Sequence, residues 1–186
     1  MSGRFSLHVG VNKVDPAHYG SDAPLRGCEN DARDMQSIAS ALGYQTDILL
    51  TENATSRNFL ERLTAASRAL VSGDTFLLTL ACHGSQVKDA LGEEDDGDDE
   101  TWCLFDRMIL DDEAFNAFNQ FRRGVRIFVL SDSCHSGTVT RAVVAAQKAN
   151  NEFLRTLNIE ADTIFRCIDP YLGSGPIKGI PLAAAM

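Results

Sequence analysis

Positive charge is the scarcer sign in this chain: 17 Lys and Arg stand against 26 Asp and Glu in 186 residues, a net charge of -9. That balance repels a phosphate backbone and favours basic partners or divalent cations, which argues against nucleic-acid binding. Paired cysteines are missing as well. The five cysteines (Cys28, Cys82, Cys103, Cys134 and Cys167) form an odd set with no CxxC spacing, so neither a disulfide framework nor a zinc site is indicated. No apolar run reaches the length of a membrane span, and the opening MSGRFSLHVGV lacks the apolar stretch and small-residue cleavage site of a signal peptide. A soluble cytoplasmic protein that uses neither nucleic acid nor membrane is the expectation.

What is present is enough apolar material, 44% of the residues, for one well-buried core. Phe5 to Val14 is rich in β-formers and predicts a first strand. From Asn30, a good helix N-cap type, Ala32, Met35, Ile38, Ala39 and Leu42 recur at helical spacing, and Gly43 supplies a stop. A second strand follows at Gln45 to Thr51. A second helix starts near Thr55 or Ser56, lines up Phe59, Leu60, Leu63, Ala66 and Leu70, and stops at Gly73. Phe76 to Cys82 and Val125 to Leu130 are continuous apolar runs, as in strands buried on both faces. Between them lie an acidic loop, Glu93 to Glu100, and a short helix from Asp111, whose first-turn carboxylates suit a helix N-terminus. Strands alternating with helices predict a parallel sheet joined by right-handed crossovers. Residues 140 to 158 are helix-compatible but weakly patterned.

In such sheets ligands collect beyond the carboxyl ends of the strands. Both reactive residues fall there, His83 seven residues after Phe76 and Cys134 seven after Ile127. If the two strands are neighbours, similar rises bring both side chains to one rim. A thiol beside an imidazole is sufficient for acyl transfer, since the histidine can take the thiol proton and later protonate a leaving amine. Gly84 and Gly137 leave room for substrate backbone and for N–H groups aimed at an oxyanion. Each residue also has a plain structural role available: a cysteine at a strand end is usually a small buried hydrophobe, and His-Gly is common in turns. The pair, 51 residues apart with histidine first, resembles the spacing of about 50 found in caspases.

Four ordered blocks extend that resemblance. Leu25-Arg26-Gly27-Cys28-Glu29-Asn30-Asp31-Ala32, His83-Gly84-Ser85, Leu110-Asp111-Asp112-Glu113 and Asp132-Ser133-Cys134-His135-Ser136-Gly137 together resemble the successive motifs of metacaspases. The resemblance implies an α/β caspase-like three-layer sandwich, a mostly parallel sheet with helices on both faces. It implies a cysteine endopeptidase acting through a thioester, with Cys134 and His83 as dyad and the N–H groups of Gly84 and Cys134 as oxyanion hole. It further implies cleavage after Arg or Lys, with Asp31 and Asp132 lining an acidic S1 pocket, where a carboxylate pair can neutralise one guanidinium or ammonium. Without that role, Asp31 is a first-turn acid and Asp132 a strand-end turn residue.

The same resemblance implies no cofactor for the chemistry and calcium as an activator, held by Asp99, Asp111 and Asp112 through hard oxygen ligands. Departures accompany it. Arg141 stands where the family can supply another acid, Cys82 replaces the glycine usual before the histidine, and His135 is a rival base that points the other way on an extended segment. Residues 1–140 match a p20-like catalytic core. Residues 141–186 match a linker region and the start of a p10-like part, incomplete, so a complementing p10-like segment or a regulatory protein is an expected partner beside the substrate. The alternative is a catalytically silent caspase-fold scaffold or regulated binding module.

Overall fold

The computed structural model describes residues 3–88, 98–133 and 165–167. Its elements in chain order are β1 (Arg4–Gly10), α1 (Pro16–Tyr19), α2 (Cys28–Ala41), β2 (Gln45–Leu50), α3 (Ser56–Ala69), β3 (Thr75–Ala81), β4 (Gly84–Lys88), β5 (Asp98–Cys103), β6 (Met108–Leu110), α4 (Asp111–Phe118), β7 (Arg126–Asp132) and β8 (Phe165–Cys167). The main sheet runs β2-β1-β3-β7-β8 with every pairing parallel, and a separate antiparallel sheet runs β4-β5-β6. The predicted α/β class with a mostly parallel sheet is therefore the one found.

Parallel pairing needs long crossovers, and α2 and α3 supply them. α2 lies on the face of the sheet that carries Ser6, His8 and Gly10; a Cβ at Gly10 would overlap the Cys28 backbone, so only glycine admits the helix this close. The opposite face carries Leu7, Val9, Phe76, Leu78, Ile127 and Val129, all buried, in one cluster with Phe59 and Leu63 of α3, Ala114 and Phe118 of α4, and Phe121. Each such large side chain contributes roughly 1.5–3 kcal/mol by leaving water.

Several predicted boundaries move. β1 ends at Gly10 rather than Val14, and α2 begins at Cys28, not after Asn30. Gly27 caps α2 with φ 110°, a left-handed backbone that glycine tolerates and Asn30 is not needed to provide. α3 ends at Ala69, ahead of the Gly73 stop, while its start at Ser56 is secured by Thr55, whose side chain accepts from the Asn58 N–H. The end of the predicted acidic loop is strand: residues 98–100 open β5. The helix-compatible stretch 140–158 lies outside the described residues. Among those described, no helix is long and apolar enough to cross a membrane.

Candidate active site

β3 and β7 are neighbours, paired from Thr75↔Arg126 to Ala81↔Asp132 with Phe76 opposite Ile127. This is the in-step register that equal spacing to His83 and Cys134 requires, and the Cys82 N–H continues it by donating to the Asp132 carbonyl at 3.3 Å. Cys134, His135, Gly137 and Arg141 lie outside the described residues.

His83 leaves the tip of β3 half-buried and is held at two points. Its backbone carbonyl accepts from the Cys103 N–H at 2.9 Å, and its ring Nε2 sits 2.9 Å from the Ala23 carbonyl oxygen. A carbonyl can only accept, so Nε2 carries the proton and a neutral ring keeps Nδ1 as its basic nitrogen. Ala23 holds that carbonyl at φ 37°, a backbone state costly for a residue with a Cβ. Nothing in the sequence signals this contact, because a backbone acceptor has no side-chain signature.

Gly84 opens β4 directly opposite Trp102 of β5. The Cys103 N–H bond to His83 marks Gly84 and Trp102 as a facing pair that exchanges no ladder bonds, so the Gly84 N–H points away from β5. Trp102 is wholly buried, its ring edge-on to Phe59, and its Nε1–H donates to Ser131 Oγ at 3.0 Å. Ser131 Oγ in turn lies 2.9 Å from Ser133 Oγ. This buried relay joins the small sheet to the end of β7, one residue short of Cys134, and sequence reasoning missed it.

Asp31 and Asp132 come from different elements, the first turn of α2 and the tip of β7. Asn12 fixes the start of α2, its Oδ1 accepting from the Glu29 N–H at 3.2 Å while its own N–H donates to Thr51 Oγ1. Burial raises the Asp132 carboxyl above the ordinary range, and the Asp31 charge raises it further. The Cys28 thiol is pushed up to about 11, first by burial and then by Asp31 and Asp132. The exposed Asp31, the half-buried Asp132 and the buried, un-ionised Cys28 thiol thus lie within electrostatic reach of one another on the α2 side of the sheet, where a cation would be welcome.

Of the three acids expected to hold calcium, the structure gives the backbone positions. Thr101 of β5 pairs with Leu110 of β6, so Asp99, two residues back along β5, lies toward Asp111 and Asp112, which open α4. Arg107 and Glu113 form a two-pronged ion pair at 2.7 and 2.8 Å, and Glu113 also accepts from the Leu110 N–H, fixing the helix start. Among the described residues, no group of three or more His, Cys, Asp or Glu side chains is arranged to hold a metal ion. Asp99 and Asp111 contribute no described side chain to that statement.

Known proteins resemble this chain in sequence and in fold. A family model of the metacaspase, peptidase C14 domain matches residues 4–142. Metacaspase-1A of Neurospora crassa is 34% identical over 151 residues, covering 73% of this chain and 32% of its own length. Metacaspase-1 of Saccharomyces cerevisiae is 32% identical over 151 residues, covering 73% and 34%. The chain thus spans about a third of the length of these curated relatives. Among solved structures, protein GSU0716 from Geobacter sulfurreducens superposes with a TM-score of 0.71 at 36% identity, over 89% of this chain and 72% of that one.

Proposed function

The chain belongs to the metacaspase, peptidase C14 family, and from that premise we propose that it is a cysteine endopeptidase cutting after Arg or Lys through Cys134 and His83. The observation that carries this reading is the committed imidazole: His83 stands at a strand tip in step with the strand leading to Cys134, with Nε2–H engaged by Ala23 and Nδ1 left to take a proton.

In the proposed cycle the Cys134 thiol gives its proton to His83 Nδ1, and the thiolate attacks the scissile carbonyl carbon. The negative oxygen that forms is met by the N–H groups of Gly84 and Cys134. As the tetrahedral carbon collapses, the C–N bond breaks and Nδ1 returns the proton to the departing amine, leaving a thioester. Water, losing a proton to Nδ1, then attacks that thioester and releases the acid and the thiol.

Asp31 and Asp132 make the S1 pocket in this reading. Burial, and after it the Asp31 charge, keep the Asp132 carboxyl above its usual range, an unfavourable state that an incoming guanidinium or ammonium relieves. Binding energy is thereby reserved for a basic P1 side chain, with Arg favoured by its planar fork. Calcium belongs to the proposal as an activator outside the bond-breaking steps, held by the carboxylates of Asp99, Asp111 and Asp112, whose hard oxygens suit it. A p10-like segment completing the sheet beyond β8, and a reducing cytoplasmic setting that keeps the thiol competent, complete it.

The test is a pair of fluorogenic peptides with Arg or Asp at P1, assayed with calcium and with a chelator. Cleavage of the Arg peptide alone, abolished by Cys134→Ala, is expected. Cleavage that survives Cys134→Ala would remove the assignment, and failure of a peptidyl-Arg thiol probe to label Cys134 would favour a silent scaffold.

A further inference from the structure

Two segments far apart in sequence hold His83, and a single side chain ties them together. The first is the strap from Asn12 to Leu25, closed at its ends by Leu25 N–H to the Asn12 carbonyl at 2.6 Å and Val14 N–H to the Asp22 carbonyl at 3.0 Å. It delivers the Ala23 carbonyl to the ring. The second is the end of β5, which delivers the Cys103 N–H to the His83 carbonyl. Tyr19 belongs to the strap, yet its hydroxyl donates to the Leu104 carbonyl at 2.9 Å, one residue past Cys103.

We propose that Tyr19 is a positioning residue for the His83 imidazole, closing the triangle of strap, β5 end and histidine; this rests on the peptidase reading above. Ala23 occupies a strained backbone state, φ 37°, which persists only where the surroundings over-determine it. Tyr19, four residues earlier, supplies that determination. Its half-buried ring lies within electrostatic reach of Cys82 and Cys103, which flank His83 in sequence and in hydrogen bonding. Gly20 follows at φ 76°, its N–H closing α1 on the Pro16 carbonyl, and turns the chain back toward the histidine. Burial raises the phenol above its ordinary range, so the hydroxyl remains a donor throughout neutral pH. A second tie between the same segments, Asp15 N–H to the Phe105 carbonyl at 2.7 Å, makes loss of the hydroxyl a partial loosening rather than a collapse.

The decisive experiment compares full-length wild type with Tyr19→Phe, which keeps the ring, by ¹⁵N NMR of the His83 side chain at a pH where the imidazole is neutral. Wild type should show the Nε2–H tautomer alone, and Tyr19→Phe a mixture of both. With an Arg peptide, kcat should fall about 10-fold while KM stays within about twofold, because the group that moves is a base and not a binding surface. Ala23→Gly in the Tyr19→Phe background, which removes the strain at φ 37° that Tyr19 is argued to hold, should return the Nε2–H tautomer alone, and because it relieves strain it serves if Tyr19→Phe by itself folds poorly: a double variant that still mixes tautomers overturns the proposal. A pure Nε2–H tautomer in Tyr19→Phe, or a fall in kcat without tautomer change, likewise overturns the proposal. Tautomer mixing in a protein that cleaves nothing leaves the positioning role standing and removes the peptidase reading instead.

Discussion

Toward α2, strands β1, β3 and β7 present Ser6, His8, Thr79 and Asp132 among the half-buried Leu77, Phe128 and Leu130, a mixed face, whereas toward α3 and α4 the same three strands present the fully buried Leu7, Val9, Phe76, Leu78, Ile127 and Val129. Alternation along a strand makes this division possible, since neighbouring residues point to opposite faces. On the apolar face stability accumulates through burial and ring contacts, Phe76 lying 5.0 Å from Phe121 and 6.2 Å from Phe5. On the mixed face the same backbone buries His8 and half-buries Asp132, groups that water would rather keep, and in the proposed reading Asp132 there receives a cationic side chain. One sheet can carry an electrostatically unfavourable pocket because its other side is oil-like and tightly packed.

The largest change in unfolding free energy should therefore come from the apolar face. Phe76→Ala removes a wholly buried ring from between two others and should cost about 3–5 kcal/mol, read from urea unfolding. A loss under about 1 kcal/mol would mean that this face does not carry the stability assigned to it.

The mixed face should reveal itself through pH. His8 is fully buried, with Nδ1 2.9 Å from Thr79 Oγ1 and Nε2 2.9 Å from Ser6 Oγ. Burial lowers its pKa from 6.5 to about 4. Between those values the unfolded chain binds a proton that the folded chain refuses, so stability falls as pH drops through the window. By about pH 5 the loss from this one group should be roughly 2 kcal/mol. Carboxylates titrate in the same range, so the measurement is the difference between wild type and His8→Gln at pH 7 and pH 5. Equal pH slopes in the two proteins would show that His8 is not the group responsible.

The same division explains what could be read before folding was known. The apolar runs of β3 and β7 and the Phe59, Leu63 and Ala66 stripe of α3 announce themselves, since burial on both sides leaves no alternative residue type. β4 and β5 do not: β5 opens on Asp98, Asp99 and Glu100, residues that disfavour strands, and its pairing partners hold it extended against that preference. Asp31 and Asp132 stood out as candidate site residues through motif resemblance. Their mutual effect on the Asp132 carboxyl follows only once α2 is seated over Gly10. The Ala23 carbonyl, the Tyr19 tie and the Trp102 to Ser133 relay were hidden because each joins residues through a backbone group or across long sequence separation.

The smallest expected effect on stability, and the one of opposite sign, is at Asp132. Its folded pKa is raised by burial and by Asp31. Such a group is comfortable while protonated, and its contribution is lost as pH rises through the raised value, so at neutral pH the ionised carboxylate opposes folding. Asp132→Asn keeps the shape and removes the charge. Melting temperature at pH 7 should hold or rise slightly, by an amount worth less than about 1 kcal/mol, and the gain should vanish in acid where wild type is protonated too. Peptide cleavage should move the other way, with KM for an Arg substrate rising by about 10-fold or more as half the counter-charge disappears. A variant both less stable and unchanged in KM would place Asp132 among the fold's supports and erase the distinction between the two faces. A variant more stable and poorer at holding arginine would locate, in one side chain, the opposition between what stabilises the sheet and what its pocket needs.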